Sequence, residues 1–297
     1  MSARLVALLV LPLAGLTAMA QQPIFRSDSF SVFLDVSVER DGKPVTGLTP
    51  RDFRLTDRGV LQTIADVSRE QFPVDVTFVA DLVGSVESPW LNGFRRAFEM
   101  MRRSLRNDDR GRLVLFDPRI KEVNGIEYGP VKIEAPSSPS DGGASSLNDA
   151  VAVSLVRDAN PPYRRMAIVM TDGQDGGSFL DEPELFEVAA RSDIAVFVVA
   201  VTDGTTRVPQ RPTNERMLQA LADATGGALT IVQRDADLGA SFARELEEFR
   251  TSYVLRYSPT GVPAGGWHDV EVRINRQGPF DVRARKGYFG EAETGGR

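Results

Sequence analysis

Two short acidic segments of the 297-residue chain could carry chemistry: Asp81-Leu82-Val83-Gly84-Ser85 and Thr171-Asp172-Gly173. Each aspartate follows an apolar run, Val74 to Ala80 in the first case and Met166 to Met170 in the second. A third segment, Gly143-Ala144-Ser145-Ser146, brings hydroxyls to the start of a predicted helix. All of these side chains offer hard oxygen ligands. Magnesium takes about six oxygens in near-octahedral geometry and keeps several waters. Two carboxylates, Asp81 and Asp172, and two hydroxyls, Ser85 and Ser145, could therefore hold it and leave a position open for a partner's carboxylate. Enzymatic readings of the same residues are weaker. Asp172 and Asp175 could be pictured as an acid and base pair, yet any acidic loop offers two carboxylates, and nothing in the sequence marks a substrate pocket. A magnesium-dependent hydrolase with an aspartyl nucleophile would want a second acid near the first, and Leu82 and Val83 follow Asp81. The single histidine, His268, is far in sequence from both aspartates and reads as a surface or strand residue, not as part of a triad. The chain has no cysteine, which excludes a thiol nucleophile, a disulfide framework and a cysteine metal site.

The elements that must position these groups follow from periodicity. Between Val74 and Arg250, strands alternate with helices. Val74 to Ala80 is an apolar run that suits a strand buried on both faces. Phe94, Ala97, Phe98, Met101 and Leu105 then form one stripe of a 3.6-residue period. A strand over Arg112 to Phe116 is followed by a polar linker, a loop from Ala135 to Gly143 and a helix from Ser145 to Val156. Further strands are predicted over Met166 to Met170, Ile194 to Val201 and Leu229 to Val232. Further helices are predicted over Glu182 to Arg191, Asn214 to Ala224 and Leu238 to Phe249. This alternation predicts a doubly wound, mostly parallel α/β sheet, whose ligands sit beyond the carboxyl ends of the strands. Asp81 and Asp172 fall at two such ends.

Outside that region the period is two. Val32, Leu34, Val36 and Val38 alternate with polar residues, and Phe53 to Leu55 and Leu61 to Val67 read as two more strands. Tyr253 to Leu255, Val270 to Ile274 and Phe280 to Arg283 alternate in the same way. These two ends either share one small β-sandwich-like domain or form two separate β pieces.

At the start of the chain, Arg4, an apolar run over Leu5 to Leu16 and Ala18-Met19-Ala20 make a secretory signal with cleavage expected before Gln21. No later stretch is apolar enough to span a membrane, so no stable membrane span is expected after cleavage. The expected location is periplasmic or secreted. A formal charge of −6 argues against nucleic acid as a partner. Arg95, Arg96, Arg102, Arg103, Arg106 and Arg110 crowd the first predicted helix and its end, and read as a solvated face.

Asp81, Ser85, Ser145 and Asp172 resemble the metal-ion-dependent adhesion site of the von Willebrand factor A family, in which an Asp-x-Ser-x-Ser motif, a loop threonine and a later aspartate hold the ion. Val83 stands where the middle serine belongs, so that one direct ligand is lost, and Ser145 stands for the threonine. Two further segments, Val45-Thr46-Gly47-Leu48-Thr49-Pro50-Arg51-Asp52-Phe53 and Val282-Arg283-Ala284-Arg285-Lys286-Gly287-Tyr288-Phe289, resemble a bacterial family that carries this domain between short β segments. The resemblance implies a von Willebrand A, Rossmann-like fold, a magnesium cofactor, and a non-enzymatic protein-binding or adhesion role toward a partner presenting an acidic residue. The rival reading is a metal-independent scaffold of an envelope assembly. The expected organisation is a signal peptide over 1–20, β segments over 28–72 and 251–289 around an α/β domain over 73–250, and a disordered tail over 290–297.

Overall fold

The computed structural model describes residues 31–69, 72–81, 89–128, 143–156, 163–202, 214–233 and 238–290. The segment expected to be a signal peptide, Val83, Ser85 and the residues beyond Gly290 lie outside the described residues. Along the chain the elements are β1 (Val32–Arg40), β2 (Lys43–Pro44), β3 (Phe53–Asp57), β4 (Val60–Gln62), β5 (Ile64–Arg69), β6 (Val74–Asp81), α1 (Pro89–Ser104), β7 (Arg110–Phe116), β8 (Ile120–Tyr128), α2 (Leu147–Leu155), β9 (Arg164–Thr171), α3 (Glu182–Arg191), β10 (Ala195–Thr202), α4 (Glu215–Thr225), β11 (Leu229–Gln233), α5 (Leu238–Thr251), β12 (Tyr253–Tyr257), β13 (Gly266–Ile274), β14 (Asp281–Ala284) and β15 (Gly287–Gly290).

Strands β6, β9 and β10 are buried along their whole lengths because both faces of their sheet are covered. Alternate residues serve opposite faces. Val76, Phe78, Ile168, Phe197 and Val199 point to the cluster shared with α1 and α5, while Val79, Val169, Val196 and Val198 point to the one shared with α2, α3 and α4. Phe78 anchors the first cluster, meeting Phe98 at 5.3 Å and Phe242 at 5.0 Å edge to face. The expected stripe Phe94, Ala97, Phe98, Met101 and Leu105 is buried there in full.

The six strands of this sheet run in the order β11-β10-β9-β6-β7-β8. Numbered within the domain, that is the doubly wound order 3-2-1-4-5-6 read from the β8 edge. The architecture is Rossmann-like α/β, with one departure from a wholly parallel sheet: β8 pairs antiparallel with β7. The polar linker expected after β7 is therefore a strand in part. Its sequence, Ile120-Lys121-Glu122-Val123-Asn124-Gly125-Ile126-Glu127-Tyr128, is charged and carries a glycine, as suits an edge strand that must not recruit another chain.

Strands from the two ends of the chain pair with each other. β1 lies between β12 and β14, and β12 pairs on its other side with β5, all antiparallel. In a second sheet β13 lies between β15 and β3, and β3 also pairs with β4. The span Leu61 to Val67, expected as one strand, is two. It breaks at Thr63, and its halves belong to different sheets. Inward residues of both sheets, among them Leu34, Val36, Leu55, Leu255, Tyr257 and Val270, form one hydrophobic cluster. The Tyr253 hydroxyl donates to the Val45 carbonyl at 2.9 Å and accepts from the Leu48 amide at 3.1 Å, which pins the turn segment between β2 and β3 onto that core.

Arginines tie this β region to the amino ends of the central strands. Arg164 opens β9, and its guanidinium donates to Asp35 of β1 at 2.6 Å, to the Ser252 hydroxyl at 2.6 Å and to the Arg250 carbonyl at 3.1 Å.

Candidate functional site

β6 and β9 are neighbours in space, yet the chain leaves them toward opposite edges of the sheet. Connections that diverge in this way leave a crevice at the carboxyl ends of the two strands. Asp81 is the last residue of β6 and is 6% exposed. It shares the strand face of Val79, the side covered by α2. Ser145 lies two residues before α2, not inside it as expected, because the helix begins at Leu147 with Ser146 in the N-cap position. From there the Ser145 hydroxyl donates to Asp81 Oδ2 at 3.0 Å. The hydroxyl of Thr171, the last residue of β9, donates to the same oxygen at 3.4 Å and accepts from the Gly173 amide at 3.0 Å.

The loop after β9 is stitched to the start of α2. The Ser145 carbonyl accepts from the amides of Gly176 at 3.0 Å and Gly177 at 2.9 Å. Only glycine allows this approach at 177, since a Cβ there would stand 2.7 Å from the Ala144 carbonyl oxygen and 2.9 Å from Ser146 Oγ. Asp175 accepts from the Ser178 amide at 3.3 Å and from the Asn148 amide, one of the open N–H groups in the first turn of α2, at 3.4 Å. Asp149 accepts from the amides of Phe179 and Leu180, each at 2.9 Å.

The result is a cavity of about 240 Å³ whose polar lining includes Asp81, Ser145, Asp172, Gln174 and Asp175. Asp172 is half-buried, and both of its oxygens are occupied by one residue. Oδ1 accepts from the Gln174 amide and Oδ2 from the Gln174 side chain, each at 2.9 Å. Among the described residues, no three His, Cys, Asp or Glu side chains are grouped so as to hold a metal. A cation in this cavity would rely on carboxylate and hydroxyl oxygens, a donor set suited to hard ions and not to soft ones.

Of the four residues expected to form a site, Asp81, Ser145 and Asp172 line this one cavity, and Ser85 lies outside the described residues. Thr171 and Gln174 were not anticipated. Thr171 was detectable, because strand parity from Ala167 and Val169 puts it on the Asp81 face. The side chain of Gln174 carries no such periodic signal.

Two other expectations are modified. His268 lies on strand β13, one of the two placements expected, but not at the surface: it is 1% exposed, its Nδ1 lies 2.8 Å from Asp57 Oδ1, and its ring stacks on Tyr288 at 4.6 Å. Tyr257 and Tyr288 donate to the other oxygen of Asp57, each at 2.9 Å. Burial raises both phenols above their ordinary range. This set is enclosed in the β region, away from the cavity. Arg110 also departs from the solvated face read for its neighbours. It is buried, ion-paired with Asp75 and stacked over Tyr163 at 4.1 Å.

No protein-family model matches the chain, and no curated protein does. Solved structures similar to it include a von Willebrand factor type A protein from Catenulispora acidiphila, at 11% identity and a TM-score of 0.48 over 91% of this chain and 76% of that one. Another is the conserved hypothetical protein BatB from Bacteroides thetaiotaomicron, at 18% identity and a TM-score of 0.44 over 59% of this chain and 98% of that one. A third is the manganese-loaded TRAP protein from Plasmodium vivax, at 14% identity and a TM-score of 0.44 over 80% of this chain and 99% of that one. At these levels the assignment of architecture rests on the strand order itself.

Proposed function

We propose that this chain is an exported, non-enzymatic protein-binding module of the von Willebrand A type, acting in the periplasm or outside the cell. In this reading Asp81, Ser85, Ser145 and Asp172 hold a magnesium ion at the carboxyl ends of β6 and β9. The observation that carries it is the convergence of Asp81, Ser145 and Asp172 on one cavity at the point where the strand order reverses. The two carboxylates supply the charge that attracts a divalent ion. Asp81 orients the Ser145 hydroxyl while leaving that oxygen a lone pair. The stitched loop behind them fixes the cavity wall, so little ordering is required on binding. A bound ion would supply a positive site for an acidic residue of the partner.

A second reading, the metal-independent scaffold, is favoured by one specific observation: both oxygens of Asp172 are already satisfied by Gln174. A thermal melt of residues 21–297 with EDTA, magnesium, manganese or calcium separates the two. A ligand that binds only the folded state stabilises it by about 2.7 kcal/mol at 100 times its Kd, or roughly 5 to 10 °C for a protein of this size. The metal reading expects that rise in the native chain and its loss in Asp172→Ala. No rise with any ion leaves the scaffold reading.

A further inference from the structure

Gln174 reaches Asp172 twice, once through its backbone amide and once through its side chain, and each contact is 2.9 Å long. The backbone contact closes a local turn and is compatible with a carboxylate that also holds an ion, because each carboxylate oxygen has two acceptor positions. The side-chain contact is different in kind. It sets an N–H dipole, positive end first, against Oδ2 of Asp172, and the Gln174 side chain is itself part of the cavity lining. A cation approaching Asp172 through the cavity meets the donor face of that amide, which repels it. Either the amide leaves Oδ2 or the ion is confined to the remaining oxygens.

The loop cannot relieve this conflict by moving away. Gly176 and Gly177 are fixed on the Ser145 carbonyl, Asp175 is held at the start of α2, and the Gly173 carbonyl accepts from Asn214 at 3.1 Å. Gln174 is exposed, so its side chain is the one member of the arrangement that can swing out to water. We infer that Gln174 is a latch on Asp172: its side-chain amide competes with the divalent ion for Oδ2 and must be displaced before that oxygen can serve as a ligand. The inference rests on the metal reading given above and adds to it what sets the strength of the site.

Removing the latch strengthens ion binding. Gln174→Ala should raise affinity for manganese roughly 2- to 10-fold, the net worth of one exposed hydrogen bond, with the same gain for magnesium because the competitor does not distinguish the ions. Manganese is the probe, titrated by calorimetry and by loss of its free-ion paramagnetic resonance signal, on residues 21–297 as wild type, Gln174→Ala and Asp172→Ala. An unchanged affinity in Gln174→Ala, with Asp172→Ala inactive, overturns the latch and leaves the metal site standing. A weaker affinity in Gln174→Ala overturns it too, since Gln174 would then be a ligand through Oε1. If no variant binds manganese, the metal reading fails and the latch fails with it. The hydrogen bond has its own readout without any ion. The Gln174 side-chain amide protons should be shifted from free-amide positions in the nitrogen-proton spectrum and return to them in Asp172→Ala. Free-amide positions in the wild type also overturn the latch.

Discussion

Strand β6 carries an aspartate near each end, and the two ends of the sheet treat their carboxylates differently. At the amino end, Asp75 is ion-paired with Arg110, and Asp109, just before β7, meets Arg250 at 2.6 Å with both partners almost wholly buried. Asp35 receives Arg164 close by. At the carboxyl end, the described donors to Asp81 are the hydroxyls of Ser145 and Thr171, and those to Asp172 are two amide groups of one glutamine. Burying opposite charges together requires good geometry and many hydrogen bonds, and once built the arrangement tolerates no deletion. The amino end is thus matched for folding, where the β region docks, and the carboxyl end is the one that the proposed function assigns to a cation from outside.

The contrast is broken most forcefully at Asp109. Its Oδ1 accepts from the Val74 amide at 2.8 Å, and its Oδ2 accepts from the Arg106 amide at 2.7 Å as well as from Arg250. Asp109→Ala leaves the Arg250 guanidinium buried without this carboxylate, and burial already pulls that group below its ordinary pKa. A loss of about 3–5 kcal/mol is expected, to be measured by urea unfolding. A loss under about 1 kcal/mol would mean that the amino end is not the structural end.

A smaller effect is expected where the carboxyl end is held by packing. Gly177→Ala forces the loop after β9 off the Ala144 carbonyl and the Ser146 hydroxyl, and overpacking of this kind costs about 1–3 kcal/mol. Because Ser145 is carried by the same contact, the variant should also weaken ion-dependent stabilisation, which Asp109→Ala should leave in place in whatever fraction remains folded. Melts of the two variants with and without manganese would show whether stability and site are separable in this way.

How far the sequence discloses this arrangement depends on the range of the interaction. The central strands and the α1 stripe are local patterns of period two or 3.6, and they stand where the periodicity puts them. Asp81 and Asp172 are legible for the same reason, since each closes an apolar run. β8 is not, because its charged, glycine-containing sequence reads as a linker and carries no clean alternation. The break at Thr63 has no glycine or proline to announce it; the two flanking halves are separated only by which sheet each joins. The Asp57, Tyr257, His268 and Tyr288 set spans 231 residues between Asp57 and Tyr288, and the single local hint is that Asp57 continues the inward parity of Phe53 and Leu55. Gln174 acts through a side chain in a turn, where no period applies.

The smallest effect belongs to Asp172 in the absence of ions, and it sharpens the comparison most. Asp172 is half-buried, its hydrogen bonds come from one neighbouring residue, and the loop around it is held by Ser145, Asp149 and Asp175 instead. Asp172→Ala in EDTA should therefore change unfolding free energy by no more than about 0.5 kcal/mol, as surface substitutions do, against the several kcal/mol expected at Asp109. A cost that small would leave Asp172 available for a role other than folding. If Asp172→Ala instead destabilises the ion-free protein by 2 kcal/mol or more, on the order of losing hydrogen bonds to a charged group, the aspartate is a structural cap on its own loop. The distinction between the two ends of the sheet would then disappear.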